Sequence, residues 1–239
     1  MFPTFVNAAT IIVGTIIGLL VGTRLGERYK HVVFTAVGAV ALVIGISMAL
    51  ESERILYMAL AHVVGGLAGT AMGIEDAIYQ LGERLRKRFT TSHPNDDGTP
   101  KPFAEGFLTA SVLFCVGALA IVGAFEAGVQ GSYALLLTKS VMDGFMSILL
   151  TAAYGVGVGF SALSILVYQG GLTLLSGLLR PIVTELMLSE ISGVGGVMVI
   201  MISMNLLNIR TIKTANFLPA LVIVVLLVLI DPLIGEYML

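Results

Sequence analysis

Apolar runs of close to twenty residues recur along almost the whole chain, broken by short clusters of charge. An α-helix of about 20 residues crosses the hydrocarbon core of a bilayer. It also satisfies every backbone N–H and C=O within the segment, as a medium without water demands. The composition agrees. Of 239 residues, 57% are hydrophobic and 12% charged, where soluble chains carry about 25% charge, and mean hydropathy is +0.99. The expected fold class is therefore all-α: a polytopic transmembrane helix bundle.

Charge clusters and Gly/Pro signals divide the chain into about eight apolar segments, near 3–23, 31–50, 55–73, 105–127, 132–153, 157–179, 190–209 and 214–234. One long polar insert, 74–103, separates the third from the fourth. It begins with Ile74, Ile78, Leu81, Leu85 and Phe89 at helical spacing beside Glu83, Arg84, Arg86, Lys87 and Arg88. That pattern suits a helix on the membrane surface, or a solvated extension of the third span. "TTSHPNDDGTPKPF" then reads as a linker.

With eight spans and both ends outside, Arg24, Arg28, Lys30, Arg84, Arg86, Lys87, Arg88, Lys101, Arg210 and Lys213 fall on the cytoplasmic side. Only Arg54 and Arg180 fall outside, which is the asymmetry of the positive-inside rule. The N-terminus lacks a basic n-region and reads as a retained first span rather than a signal peptide. Cys115 is the single cysteine, so no intrachain disulfide is possible.

"VIGISMAL" (43–50) matches "VIMISMNL" (199–206) at six of eight positions, 156 residues apart, pairing the second segment with the seventh. Segments one to three would then correspond to six to eight. The separation is odd, so the triplets run in opposite directions, as in the inverted repeats of many transporters. The implied organisation is a first three-helix repeat (1–73), a cytoplasmic amphipathic helix and linker (74–103), two central spans (104–153) and a second three-helix repeat (154–239). Glycines at 14, 18, 22 and 26, and at 65, 69 and 73, recur every four residues. They predict helix–helix contact faces rather than ligand sites.

The most unusual stretch is "LLLTKSVMDGFMSILL" (135–150), where Lys139 and Asp143 sit four residues apart in an apolar run. Each costs roughly 2.5–3.5 kcal/mol at a bilayer centre, so neither faces lipid, and the i, i+4 spacing lets them pair. They form either a structural ion pair or a functional site. In a functional site Asp143 takes a proton or Na⁺ while Lys139 competes for the carboxylate, or else Lys139 holds an anionic substrate. In "SILVYQGGLTLLSG", Gln169 precedes Gly170 and Gly171. This predicts a kinked or broken helix whose exposed carbonyls suit a cation, or a packing notch. Gly155, Gly157 and Gly159 suggest a tight, hinge-like connection. Asn205, Asn208 and Asn216 near the cytoplasmic end, and Asn7 in the first segment, bridge helices or bind ligand. Glu126 is the weaker candidate because it falls near the outer surface.

Enzyme motifs are missing: no HExxH, CxxC or GxxxxGK[ST] occurs. Neither catalysis nor a cofactor is expected. The short basic helix suits anionic lipid better than nucleic acid. Expected partners are the lipid bilayer and a small ion or solute, with a homo-oligomer left open.

At "FCVGALAIVGAFEAG" (114–128), "LTKSVMDGF" (137–145), "GVGVGFSAL" (155–163), "YQGGLTLLS" (168–176) and "NLLNIRTIKTANFLPAL" (205–221), the chain resembles the YqgA/YdfK-like family of bacterial membrane proteins over essentially its whole length. The most specific elements are Lys139, Ser140, Asp143, Gly144, Gln169 and Gly170. The family pattern often carries Gln-Asp before the glycine where this chain has Glu126-Ala127. The resemblance implies a bacterial inner-membrane location and a family without an established activity, sometimes described as a sodium channel or pump. The combined expectation is a transporter or channel for a small ion or solute, with Lys139, Ser140 and Asp143 at its centre beside Gln169, Gly170, Gly171, Asn205 and Asn208. The competing expectation is a non-transporting scaffold or signalling protein with a structural charge pair.

Overall fold

The computed structural model describes residues 1–22, 27–89, 101–115, 118–179, 181 and 183–234. Ten α-helices account for most of them: α1 (Phe2–Gly22), α2 (Glu27–Ala49), α3 (Ile55–Met72), α4 (Ile74–Phe89), α5 (Lys101–Cys115), α6 (Ala118–Phe125), α7 (Ala134–Tyr154), α8 (Ser161–Leu179), α9 (Glu185–Leu206) and α10 (Pro219–Ile234). A π-helical turn, Glu126–Gln130, joins α6 to α7, and 3-10 turns at Gly155–Phe160 and Thr214–Phe217 precede α8 and α10. Among the described residues there is no β-strand. Five stretches are long and apolar enough to cross a membrane, or six if the bent pair α5–α6 counts as one; the apolar part of α2, Phe34–Ala49, is shorter.

Helix ends follow local chemistry. The left-handed Gly73 (φ 63°) closes α3 and returns its N–H to the Gly69 and Thr70 carbonyls, so α4 is a separate helix. Thr184 caps α9 by accepting from the Met187 N–H at 3.1 Å. Proline opens α10, where no partner for its missing N–H is needed.

The packing inverts soluble amphipathicity. On α1 the buried face carries Thr4, Asn7, Ile11, Gly14 and Gly18, while Phe5, Ile12, Ile16 and Leu20 are exposed. On α7, Lys139, Ser140, Asp143, Ser147 and Thr151 are buried, while Val141, Met142, Phe145 and Leu149 are exposed. Lipid takes the apolar stripe and the protein interior takes the polar one.

Small residues let these faces meet. Gly14 abuts Gly144 and Ser147, Gly18 abuts Ile148 and Thr151, and Gly22 abuts Ala152, so α1 and α7 run parallel. Gly38 meets Leu206 and Gly45 meets Ile200, which makes α2 and α9 antiparallel. Gly65 and Gly69 lie against Ala220 and Asn216, and Tyr57 donates to Asp231 at 2.6 Å, so α3 and α10 are also antiparallel. The glycine stripes are contact faces, with two exceptions: Gly73 is a cap, and Gly26 lies outside the described residues.

The 45-residue apolar stretch Ala134–Leu178 is a hairpin. A straight helix would separate Asp143 from Gln169 by about 39 Å at 1.5 Å per residue; instead both hold the Asn7 side chain. The turn places α8 antiparallel to α1, with Thr4 at Gln169 and Thr15 at Gly159. Gly155 takes the left-handed φ of 79° that this reversal needs, while Gly157 and Gly159 pack closely on Phe103 and Thr15.

Three expectations are corrected. The expected break at Gln169–Gly171 does not occur: α8 is helical throughout. Gly170 instead lets Met1 and Thr4 approach, and intact helical hydrogen bonding wins where no water replaces it. The interruption lies in the fourth apolar segment, where Phe103–Cys115 and Ala120–Gln130 are inclined at 68°. The linker is shorter than expected because α5 starts at Lys101, with Pro102 tolerated in its first turn; residues 90–100 lie outside the described residues.

Candidate functional site: a buried carboxylate shared by three helices

Asp143 sits at the tenth position of the 21-residue α7 and is 7% exposed; Lys139, one turn earlier, is 6% exposed. Their side chains form an i, i+4 ion pair through Asp143 Oδ2. A buried charge is tolerable when it is paired and hydrogen-bonded, and the second bond comes from another helix. Asn7 of α1 donates its Nδ2 to the same Oδ2 at 2.9 Å and to Gln169 Oε1 of α8 at 3.0 Å. Gln169 in turn donates through Nε2 to Thr4 Oγ1 at 3.2 Å. Asn7, Thr4 and Gln169 are fully buried.

Two acceptor oxygens face one end of the Asn7 amide, so that end is the NH₂. The other end, Oδ1, is buried and has no partner among the described residues. A buried acceptor left unpaired costs about 1–3 kcal/mol. Lys139 and Asn7 both use Oδ2 of Asp143, and no described residue donates to Oδ1. The centre of the site is therefore rich in oxygen, with one carboxylate and one tethered ammonium.

The surrounding backbone is pinned. Thr10 donates to the Asn7 and Ser140 carbonyls, both at 2.8 Å, locking α1 to α7 beside the ion pair. Ser140 donates to Leu136 O at 2.7 Å and Ser147 to Gly144 O at 2.8 Å. Ser140 is thus beside Asp143, but its hydroxyl is committed to its own helix.

Of the residues expected at the site, Lys139, Ser140, Asp143 and Gln169 converge, and Gly170 lines α8 next to Thr4. Gly171 meets nothing within contact distance. Asn205 and Asn208 are not part of it. Asn205 clamps the loop after α9, donating to Ile212 O at 2.9 Å and accepting from Ile212 N at 2.7 Å. Asn208 is exposed and left-handed at φ 55°. Asn216 accepts from the Glu75 N–H at 2.9 Å and fixes α4 to that loop. Asn7, Thr4 and Thr10 are the additions, and Asn7 was legible only as an ambiguous polar residue in an apolar helix.

A second buried carboxylate, Glu190 at the start of α9, accepts from Glu53 N at 2.8 Å, Arg54 N at 2.7 Å and Ser52 Oγ at 2.8 Å. It caps α3, and its acceptor capacity is used by that role. Among the described residues no group of three or more His, Cys, Asp or Glu side chains converges. With one carboxylate, the Asp143 site balances a single positive charge.

The family comparison covers this whole arrangement. The profile of DUF554, a protein family of unknown function, matches residues 2–229. The chain belongs to the DUF554 family. Among relatives, it is 30% identical over 196 residues to the uncharacterized membrane protein YdfK of Bacillus subtilis (strain 168), covering 80% of each chain. It is 26% identical over 190 residues to the uncharacterized protein YqgA of Escherichia coli (strain K12), again over 80% of each. No solved structure matches. This DUF554 chain is a helical membrane protein, and the Asn7–Asp143–Gln169 cluster joins three of its helices.

Proposed function

We propose that this DUF554 protein is a multi-pass carrier or channel of the bacterial inner membrane for a small monovalent cation, with both termini outside. One observation carries the reading: a buried carboxylate paired to a tethered ammonium stands beside an unpartnered amide oxygen, Asn7 Oδ1. Oxygen donors suit hard cations. Asp143, Gln169 Oε1 and Thr4 Oγ1 would supply them from three helices, with Asn7 Oδ1 on the far side of its amide as a further unpartnered oxygen. Charge balance gives the logic of exchange: with the Lys139 ammonium on Asp143 the site is neutral, and it stays neutral with Na⁺ on the carboxylate only when Lys139 gives up its own proton. An intramembrane ionisable pair facing the bundle interior is the usual mark of an ion path.

The helix pairing supports the same reading. Contacts of α1 with α8, α2 with α9 and α3 with α10 are all antiparallel. Two inverted three-helix repeats about an axis in the membrane plane would pair these helices in this way.

The test is aqueous access. In a Cys115→Ser background, a single cysteine at Ser140 or Ser147 is exposed to a membrane-impermeant thiol reagent from each side. Labelling at either position is expected. Uniform protection in folded protein would favour the alternative, a scaffold with a structural ion pair.

A further inference from the structure

Between α6 and α7 the Glu126–Gln130 turn is π-helical and is closed by Gly131, whose φ is 69° and whose N–H returns to the Glu126 carbonyl. Such turns are rare and concentrate at functional sites. One side presses on α8, where Gly128 lies so close to the Ser176 side chain and the Thr173 carbonyl that no Cβ fits. Those residues belong to a buried polar file. Ser176 donates to Thr173 O at 3.0 Å, Thr173 donates to Gln169 O at 2.8 Å, and Gln169 meets Asn7 beside Asp143. The turn also walls an open cavity of about 210 Å³, bounded by the apolar Val122, Phe125, Val129 and Leu188 with Glu126 and Gln130 among them. The turn therefore stands between a cavity and the polar file that leads to the carboxylate.

Glu126 gives the cavity its sign. Its recorded bond is to a neutral group, Ser132 Oγ at 3.3 Å, and no cation pairs with it among the described residues. A single carboxylate in a low-dielectric wall concentrates cations. A Cβ at Gly131 would meet nothing within 4 Å, so the end of the turn borders open space.

We propose that this cavity is the vestibule for a hydrated monovalent cation on the face where α1 begins, with Glu126 as its recruiting carboxylate and the Gly128 contact as a gate onto the polar file. The proposal rests on the cation-transport reading above and gives it an entrance. It assigns a role to the loop that the sequence made the weaker candidate.

The test uses oriented vesicles, a Cys115→Ser background and single cysteines at Val129, on the cavity wall, or Thr173, behind the gate. The probes are a cationic trimethylammonium and an anionic sulfonate methanethiosulfonate reagent of similar size. At Val129→Cys the cationic-to-anionic rate ratio is expected to exceed that for a free thiol, whose own thiolate favours the cation, by about tenfold, the lower end of what a focusing charge does to an on-rate; Glu126→Gln should return it to the free-thiol ratio. At Thr173→Cys reaction should be slow and should accelerate when Gly128→Ala lifts the turn from α8. A free-thiol rate ratio at Val129, or protection of Thr173 in the folded Gly128→Ala protein, would overturn the proposal. The Val129 comparison decides the vestibule even if Gly128→Ala does not fold. Sodium flux that depends on Asp143 but occurs with Thr173 protected would sink the gate and leave the transport reading intact. A charge-selective, gated cavity in a protein that moves no cation would do the reverse.

Discussion

Asn7 and Asp143, 136 residues apart, share a hydrogen bond of 2.9 Å between Nδ2 and Oδ2. The bond ties the first helix to a buried carboxylate already neutralised by a lysine of its own helix. It also fixes the amide so that its oxygen points away from both acceptors. Asn7→Ala should cost about 1–2 kcal/mol, the usual range for an interhelical polar bond in a membrane, measured by thermal unfolding in detergent. Asn7→Asp should be worse, because it sets a second carboxylate against the first.

The ion pair separates structure from function in a double variant. Lys139→Met strands a buried carboxylate and should cost about 3–5 kcal/mol. Adding Asp143→Leu should recover most of that loss while leaving no cation site. Recovery is read from the melting midpoint and the site from sodium uptake. Stability that stays low in the double variant would make the pair chiefly a structural element.

The α1–α7 seam leaves no room for a Cβ at Gly14 or Gly18. A Cβ at Gly18 would lie 2.6 Å from Ile148 O and 2.7 Å from Thr151 Cβ. Gly18→Val should therefore cost about 1–3 kcal/mol by overpacking and loosen the carboxylate site with it. A cysteine crosslink between the ends of α1 and α7 would read the separation.

Glu190→Gln replaces one acceptor oxygen of a carboxylate that serves three donors at the start of α3. The amide oxygen can keep the Glu53 and Arg54 N–H groups while its NH₂ donates to Ser52 Oγ, so the loss is that of charge assistance, about 1 kcal/mol. The melting midpoint should fall while the Asp143 site stays intact.

Glu75, in α4 beyond the end of α3, is the group whose titration should show. Burial raises its carboxyl above the ordinary range, opposed by the Ala215 N–H and Lys213, with Asp76 and Glu105 adding to the rise. A raised acid pKa means the folded state binds the proton more tightly. Stability then falls as pH rises from the ordinary glutamate value through the raised one. Glu75→Gln should flatten that slope above the ordinary glutamate value, checked by pH-dependent melting.

The Lys139/Asp143 pair was legible because charge inside an apolar run is expensive and the four-residue spacing dictates a shared face. Gln169 was legible as a polar residue in mid-segment followed by two glycines. Asn7 was legible only as ambiguous, since an asparagine in an apolar helix bridges many kinds of neighbour and its partners lie 136 and 162 residues away. The two glycines after Gln169 were compatible with a break or a packing notch, and the Met1 and Thr4 contacts of Gly170 select the notch. The 68° inclination between Phe103–Cys115 and Ala120–Gln130 falls within one apolar segment, whose continuous hydropathy hides it. Asn205 and Asn208 shared the polar chemistry of the site but belong to a loop clamp, a matter of tertiary position that residue type does not carry.

The most direct test is cation flux through the purified protein. In proteoliposomes loaded without sodium, radiolabelled Na⁺ uptake and internal pH are followed for the parent, Asp143→Asn and Asn7→Ala. Uptake by the parent, abolished by Asp143→Asn and weakened by Asn7→Ala, is the expected result. Folded parent protein that moves neither sodium nor protons, under either sign of membrane potential, would contradict the account.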